Sequence, residues 1–173
     1  WACAKLRGLW ASGPCLAELG RAERAAAEAA APLAPRFKPQ ELSNALWALA
    51  RGAGEGAGGG WEPWRAGAFG ALAGAAARSL HLCGGRGAWT PQALSNLAWA
   101  LGACAVTGGG TSAAGGARAL LDELLRVLGE RAGELNPQET AGALGALARL
   151  SESGAPWATP AMEGGGGTAA VAA

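Results

Sequence analysis

The stretch Phe37-Lys-Pro-Gln-Glu-Leu-Ser-Asn-Ala-Leu-Trp-Ala-Leu-Ala-Arg51 decides how the rest of the chain is read. It returns as Trp89-Thr-Pro-Gln-Ala-Leu-Ser-Asn-Leu-Ala-Trp-Ala-Leu-Gly-Ala103. It returns again, more loosely, as Leu135-Asn-Pro-Gln-Glu-Thr-Ala-Gly-Ala-Leu-Gly-Ala-Leu-Ala-Arg149. The anchoring prolines Pro39, Pro91 and Pro137 are 52 and 46 residues apart, and Trp1 stands 46 before Trp47. Chance is a poor source for a shared P-Q-x-L-S-N-x-x-W-A-L. One supersecondary unit is repeated, with insertions of unequal length hiding the period.

Each copy carries the grammar of a helix start. Proline suits the first helical position, where the missing N–H costs nothing. Thr90 and Asn136 stand where an N-cap belongs, and Glu41 and Glu139 occupy the third helical position, as in a capping box. Leu42, Leu46 and Leu49 recur at i, i+4 and i+7 and form one apolar stripe, which Leu94, Ala98 and Leu101 repeat. A second helix is expected after each first one. Phe69, Leu72, Ala73, Ala76 and Leu80 form its stripe after Pro63, and Leu121, Leu124, Leu125 and Leu128 form the next. Gly52–Gly60 and Thr107–Gly116 read as flexible surface insertions between the paired helices.

The expected fold is therefore all-α: an α-solenoid of helix-turn-helix repeats with Gly-rich loop insertions, right-handed as its class usually is. Residues 1–36 would hold the tail of one unit and its second helix. Units follow over 37–88 and 89–134, then the first helix of a degenerate unit over 135–155. Residues 156–173 read as a Gly/Ala-rich flexible tail.

Composition agrees with helices and excludes other classes. The 173 residues include 46 Ala and 30 Gly, no Ile and no Tyr, so a sheet protein is not expected. Gly and Pro together make 39 residues, just under the share of roughly 25–30% that marks low complexity. No run of apolar residues is long enough for a membrane span. Arg outnumbers Lys 12 to 2, and residues with AT-rich codons are rare, so a GC-rich genome explains part of the bias. The chain starts at Trp1 and reads as a processed product or a piece of a longer one.

Chemistry-bearing clusters are few. Fourteen basic residues face 13 acidic ones, for a net charge of +1, so a strongly basic nucleic-acid footprint is absent. Cys3, Cys15, Cys83 and Cys104 have no C-x-x-C spacing, and the single histidine, His81, lies near only Cys83. No zinc site, other metal or cofactor is expected, and the cysteines read as small buried helix residues. Gly54-Glu-Gly-Ala-Gly-Gly59 matches G-x-G-x-x-G but lacks the strand that a dinucleotide site needs. Asp122 and Glu123 precede Arg126 by one turn, the pattern of a solvated helix face. His81 has no arrangement for nucleophilic catalysis. An enzyme is not expected.

The Phe37–Ala50 stretch resembles the repeat of octotricopeptide repeat proteins, a family expanded in green algae and related to the repeats of FAST-kinase-like proteins. The likeness is strong over 37–51 and 89–103, weaker over 135–149, and with the second helices spans most of residues 1–150. It implies sequence-specific binding of organellar RNA, mRNA or rRNA, in the chloroplast or alternatively the mitochondrion. Transcript stability, processing or translation would be the purpose, with other proteins of a ribonucleoprotein complex as further partners. The third copy departs from the pattern, with Gly142 for Asn and Gly145 for Trp.

At 100° per residue, Gln40, Asn44, Trp47 and Arg51 project within about 60° of one another, opposite the Leu stripe. Gln92, Asn96 and Trp99 form the equivalent set, and Gln138 and Arg149 are what remains of it in the third copy. Amides hydrogen-bond base edges, indoles stack on bases and guanidinium groups pair with phosphates. The competing reading makes Asn44 and Trp47 packing residues against the adjacent unit, because a base code must vary while a structural contact need not. Two other functions fit the same architecture: a protein-binding helical scaffold, and part of an RNA-processing factor whose catalytic domain lies outside this sequence.

Overall fold

A computed structural model describes residues 14–54, 61–83, 87–109 and 111–158, and among them every regular element is helical. Six α-helices follow in order: α1 Pro14–Leu33, α2 Pro39–Gly54, α3 Pro63–Cys83, α4 Pro91–Val106, α5 Thr111–Arg131 and α6 Pro137–Glu152. Short 3₁₀ turns at Ala34–Arg36 and Ala132–Glu134 lead into α2 and α6. The first turn tightens where Pro32 and Pro35 remove two backbone donors from the end of α1.

The expected helix starts form. Thr90 is the N-cap of α4 and accepts a hydrogen bond from the Ala93 N–H at 3.2 Å. Asn136 and Glu139 make a complete capping box at the start of α6, each side chain bonded at 2.9 Å to the other's backbone N–H. At the start of α2, Glu41 Oε2 accepts from the Lys38 N–H at 2.8 Å. Caps of this kind stabilise a helix by roughly 1 kcal/mol each, enough to set the register of every copy.

The helices pack against one another in two successions. The helices opened by the Pro-Gln motif, α2, α4 and α6, contact each other in turn, and so do α1, α3 and α5. Further contacts of α2 with α3 and α4 with α5 join the successions. The core lies between them. Leu42, Leu46 and Leu49, then Leu94, Ala98 and Leu101, are buried there against Phe69, Leu72, Ala73, Ala76 and Leu80.

The α5 stripe is shifted from its expected position. Leu121, Leu124 and Leu128 are buried, but Leu125 is 45% exposed, and Leu120 and Val127 complete the core instead. The buried arc is centred near Leu124, and Leu125, about 100° away, falls beyond its edge.

Small residues set the helix spacing. A Cβ on Gly116 of α5 would meet the backbone of Gly70 in α3, 2.8 Å from its carbonyl carbon. A Cβ on Gly102 of α4 would lie 3.0 Å from the Ala146 carbonyl oxygen in α6. Gly116 and Gly102 therefore lie where backbones approach closely.

This corrects part of the reading of the two Gly-rich segments as surface insertions, at Gly52–Gly54 and at Thr111–Gly116. Helix α2 continues through Gly54, and Gly52 is buried; residues 55–60 lie outside the described residues. Helix α5 begins at Thr111, so the second connection shrinks to residues 107–110. Gly within a helix costs up to about 1 kcal/mol relative to Ala, and at Gly116 the close packing on Gly70 offsets it. At Gly52 the missing side chain makes room for Glu23, whose Oε1 would lie 2.5 Å from a Cβ. Glu23 reaches across from α1 to the buried Arg65 of α3, with Oε2 and Nη2 3.2 Å apart.

Trp157 is buried against the core, while residues 159–173 of the expected tail lie outside the described residues. Cys104 is buried as expected, but Cys83 is exposed at the end of α3; Cys3 and the side chain of Cys15 lie outside the described residues. No helix among the described residues is long and apolar enough to cross a membrane.

Candidate nucleic-acid interface

The recurring Gln, Asn and Trp sit at equivalent turns of α2 and α4, and Gln138 alone keeps the pattern in α6, so the helix-to-helix packing brings them side by side. Trp47 and Trp99 are half-buried, with ring centroids 5.7 Å apart and planes inclined at 37°. Arg51 lies over the Trp47 ring, 5.4 Å from its centroid. Beyond this pair a groove of about 430 Å³ runs from α4 to α6. Trp47, Gln92, Asn96, Trp99 and Gln138 line it. Ser95, Asn136, Glu139 and Gly142 complete its walls.

Five of the nine residues singled out from sequence thus meet in one groove. The other four do not line it. Gln40 is exposed and donates through Nε2 to Asn44 Oδ1 at 3.0 Å, so these two amides are joined along α2. Arg51 approaches the groove only through its stack on Trp47. Arg149 sits half-buried in the last turn of α6, with Nη1 3.8 Å from where a Cβ on Gly145 would lie.

The amides of Gln92, Asn96 and Gln138 differ from the Gln40–Asn44 pair. Among the described residues no protein group hydrogen-bonds them, and they face the groove. An amide offers both a donor and an acceptor, so this wall presents mixed hydrogen-bonding capacity beside a stacking surface. None of the lining residues is cationic, and Glu139 adds a carboxylate. The groove thus offers a ring face and amide hydrogen bonds but no cationic partner for a phosphate.

The motif's serine was not singled out from sequence, yet it joins the helices. Ser95 Oγ donates to the Glu139 carbonyl oxygen at 3.2 Å, tying α4 to the first turn of α6. Ser43, its counterpart in α2, is fully buried and bonds back to the Gln40 carbonyl oxygen at 3.2 Å. The available signal was its recurrence beside Asn. The competing packing role for Asn44 and Trp47 therefore divides among residues: Ser95 fastens the next helix, and Trp47 packs on the adjacent copy through Trp99. Asn136 and Glu139 also lacked any sequence signal for the site, because their positions mark them as cap residues.

A second polar cluster lies between α3 and α5. His81 has a partner after all: its Nδ1 is 2.8 Å from Glu123 Oε1. Arg126 joins both Glu123 and Glu130 at 2.9 Å. The hydrogen bond from Arg126, then that with His81, holds the Glu123 carboxyl below the ordinary carboxylate range. This is the salt-bridged face anticipated for Glu123 and Arg126, extended to the neighbouring helix.

Compared with known proteins, the chain matches no family model, no curated protein and no solved structure.

Proposed function

We propose that the chain is an α-solenoid segment that binds single-stranded RNA along the face formed by α2, α4 and α6. The observation that carries this reading is the convergence of Trp47, Gln92, Asn96, Trp99 and Gln138 on one groove across three helices. Aromatic faces stack on bases without needing charge, and amides read their edges; helical-repeat RNA readers combine the two. The resemblance of the repeats to octotricopeptide repeats supports the same reading. It adds an organellar transcript as target and the chloroplast or mitochondrion as location. In such a setting the protein shields its RNA or alters how the RNA folds.

The near-neutral charge makes stacking and hydrogen bonding, rather than phosphate attraction, the source of affinity. Selection of RNA ligands from a random single-stranded pool tests the proposal. Enrichment of a short motif, with ultraviolet crosslinks mapping to α2, α4 or α6, is the expected outcome. No enrichment over an unrelated helical protein, with peptides captured instead, points to the scaffold reading.

A further inference from the structure

We infer that the groove between α4 and α6 is a base-selective pocket. It accepts a nucleobase bearing an exocyclic amino group, disfavours uracil, and owes this choice to Glu139. The inference rests on the RNA-binding reading above and narrows it.

The step from α4 to α6 differs from the step from α2 to α4. In the earlier step Trp99 packs on Trp47, and within α2 Gln40 is already bonded to Asn44. In the later step the positions equivalent to Asn96 and Trp99 are Gly142 and Gly145, so no third amide and no third indole fills the space. Gly142 has a steric reason: a Cβ there would lie 2.9 Å from Ser95 Oγ, within the contact that fastens the two helices. Loss of the consensus residues thus leaves room beside Trp99, with hydrogen-bonding groups around it.

The polarity of those groups sets the selection. Gln92, Asn96 and Gln138 are amides and turn either a donor or an acceptor to a ligand, so they suit every base. Glu139 has fixed polarity. Its Oε2 accepts from the Asn136 N–H at 2.9 Å, and among the described residues Oε1 has no protein donor. A carboxylate oxygen only accepts. Adenine, cytosine and guanine each present an amino donor, whereas uracil flanks its single N–H with two carbonyl oxygens that a carboxylate repels. The same negative charge, with no cation in the lining, keeps phosphate out and admits the neutral base.

The test measures binding of the intact chain to oligoadenylate, oligocytidylate and oligouridylate at one salt concentration. Oligomers of about twelve nucleotides suffice. One hydrogen bond gained or opposed changes affinity by roughly three- to tenfold, so the first two should bind that much tighter than oligouridylate. Glu139→Gln retains an oxygen for the Asn136 N–H and replaces the other with an amide donor. It should abolish or invert the ratio, while circular dichroism confirms the fold. Equal affinities, or a ratio unmoved by Glu139→Gln, overturn the base selection and leave RNA binding standing. Cytidine monophosphate competing as well as the oligomer assigns the pocket to a free nucleotide and also overturns it. Binding to none of the three and to no random pool overturns both readings. The wild-type ratio needs no variant, so a misfolded Glu139→Gln chain leaves the test intact.

Discussion

Trp47 and Trp99, 52 residues apart in the chain, stack 5.7 Å centroid to centroid because α2 and α4 pack side by side in register. The contact is both a joint between copies and part of the proposed RNA surface, and mutation separates the two roles. As a joint, the pair should show a coupling of about 0.5–1.5 kcal/mol in a double-mutant cycle of urea unfolding. As a surface, Trp99 borders the open groove, whereas Trp47 carries Arg51 on its ring. Trp99→Ala should therefore weaken RNA binding by about 1–3 kcal/mol, or roughly 5- to 150-fold in Kd, and Trp47→Ala by less. Equal losses, tracking the stability losses alone, would remove Trp99 from the interface.

The Ser95–Gly142 contact yields a prediction whose sign changes with background. Ser95→Ala removes the bond to the Glu139 carbonyl and should cost about 0.5–1.5 kcal/mol. Gly142→Ala in the wild type pushes a methyl group against Ser95 Oγ and should destabilise by a similar amount. In the Ser95→Ala chain that obstacle is gone, and the helix preference for Ala over Gly should stabilise by roughly 0.5–1 kcal/mol. Urea midpoints of the four chains decide it. Gly142→Ala destabilising in both backgrounds by the same amount would refute the steric account.

Arg65 and Glu23 join α3 to α1 with side chains only 5% and 11% exposed. Removing Glu23 leaves the buried Arg65 with only the exposed Glu62 carboxylate, 4.0 Å away, so Glu23→Ala should cost toward the lower part of about 3–5 kcal/mol. The Trp64 ring, 4.5 Å from the Arg65 guanidinium, favours the lower end of that range. Replacing both with apolar residues of similar size, Glu23→Leu with Arg65→Met, should recover most of the loss. Chemical denaturation of the three chains measures this, and a Glu23→Ala cost within the range of an exposed pair, about 1 kcal/mol or less, would count against burial of the bridge.

The helix starts and the Leu stripes of α2 and α4 were legible because each is written in local spacing. Proline at the first helical position, a cap beside it and Leu at i, i+4, i+7 need no partner to be recognised. The same grammar brought five of nine candidates to the groove. What escaped was whatever depends on a second element. Gly52 and Gly116 looked like loop residues because glycine alone does not announce a neighbour such as Glu23 or Gly70. His81 looked solitary because Glu123 lies 42 residues away on another helix. Leu125 looked equivalent to Leu121 until the neighbouring helices chose which arc of α5 to bury. Glu139 was read as a cap, which it is, and its place in the groove follows only from α4 packing on α6.

Cys104 gives the stability a predictable alkaline limit. Burial in α4 pushes its thiol up to about 12, because the thiolate loses its hydration there. In the unfolded chain the thiol titrates near the ordinary cysteine value, about 8.5. Between these two values the unfolded state has released its proton and the folded state has not. Unfolding then releases a proton, and stability falls as pH rises. The contribution is fully present below about pH 8.5 and diminishes through pH 12, at up to about 1.4 kcal/mol per pH unit. The chain has no Tyr and only two Lys, so beside Cys3, Cys15 and Cys83 few other groups titrate in that window. Urea unfolding at pH 8 and pH 10 should show a loss of about 2 kcal/mol in the wild type and a much smaller one in Cys104→Ala. The same slope in both chains would show that Cys104 is not the group responsible.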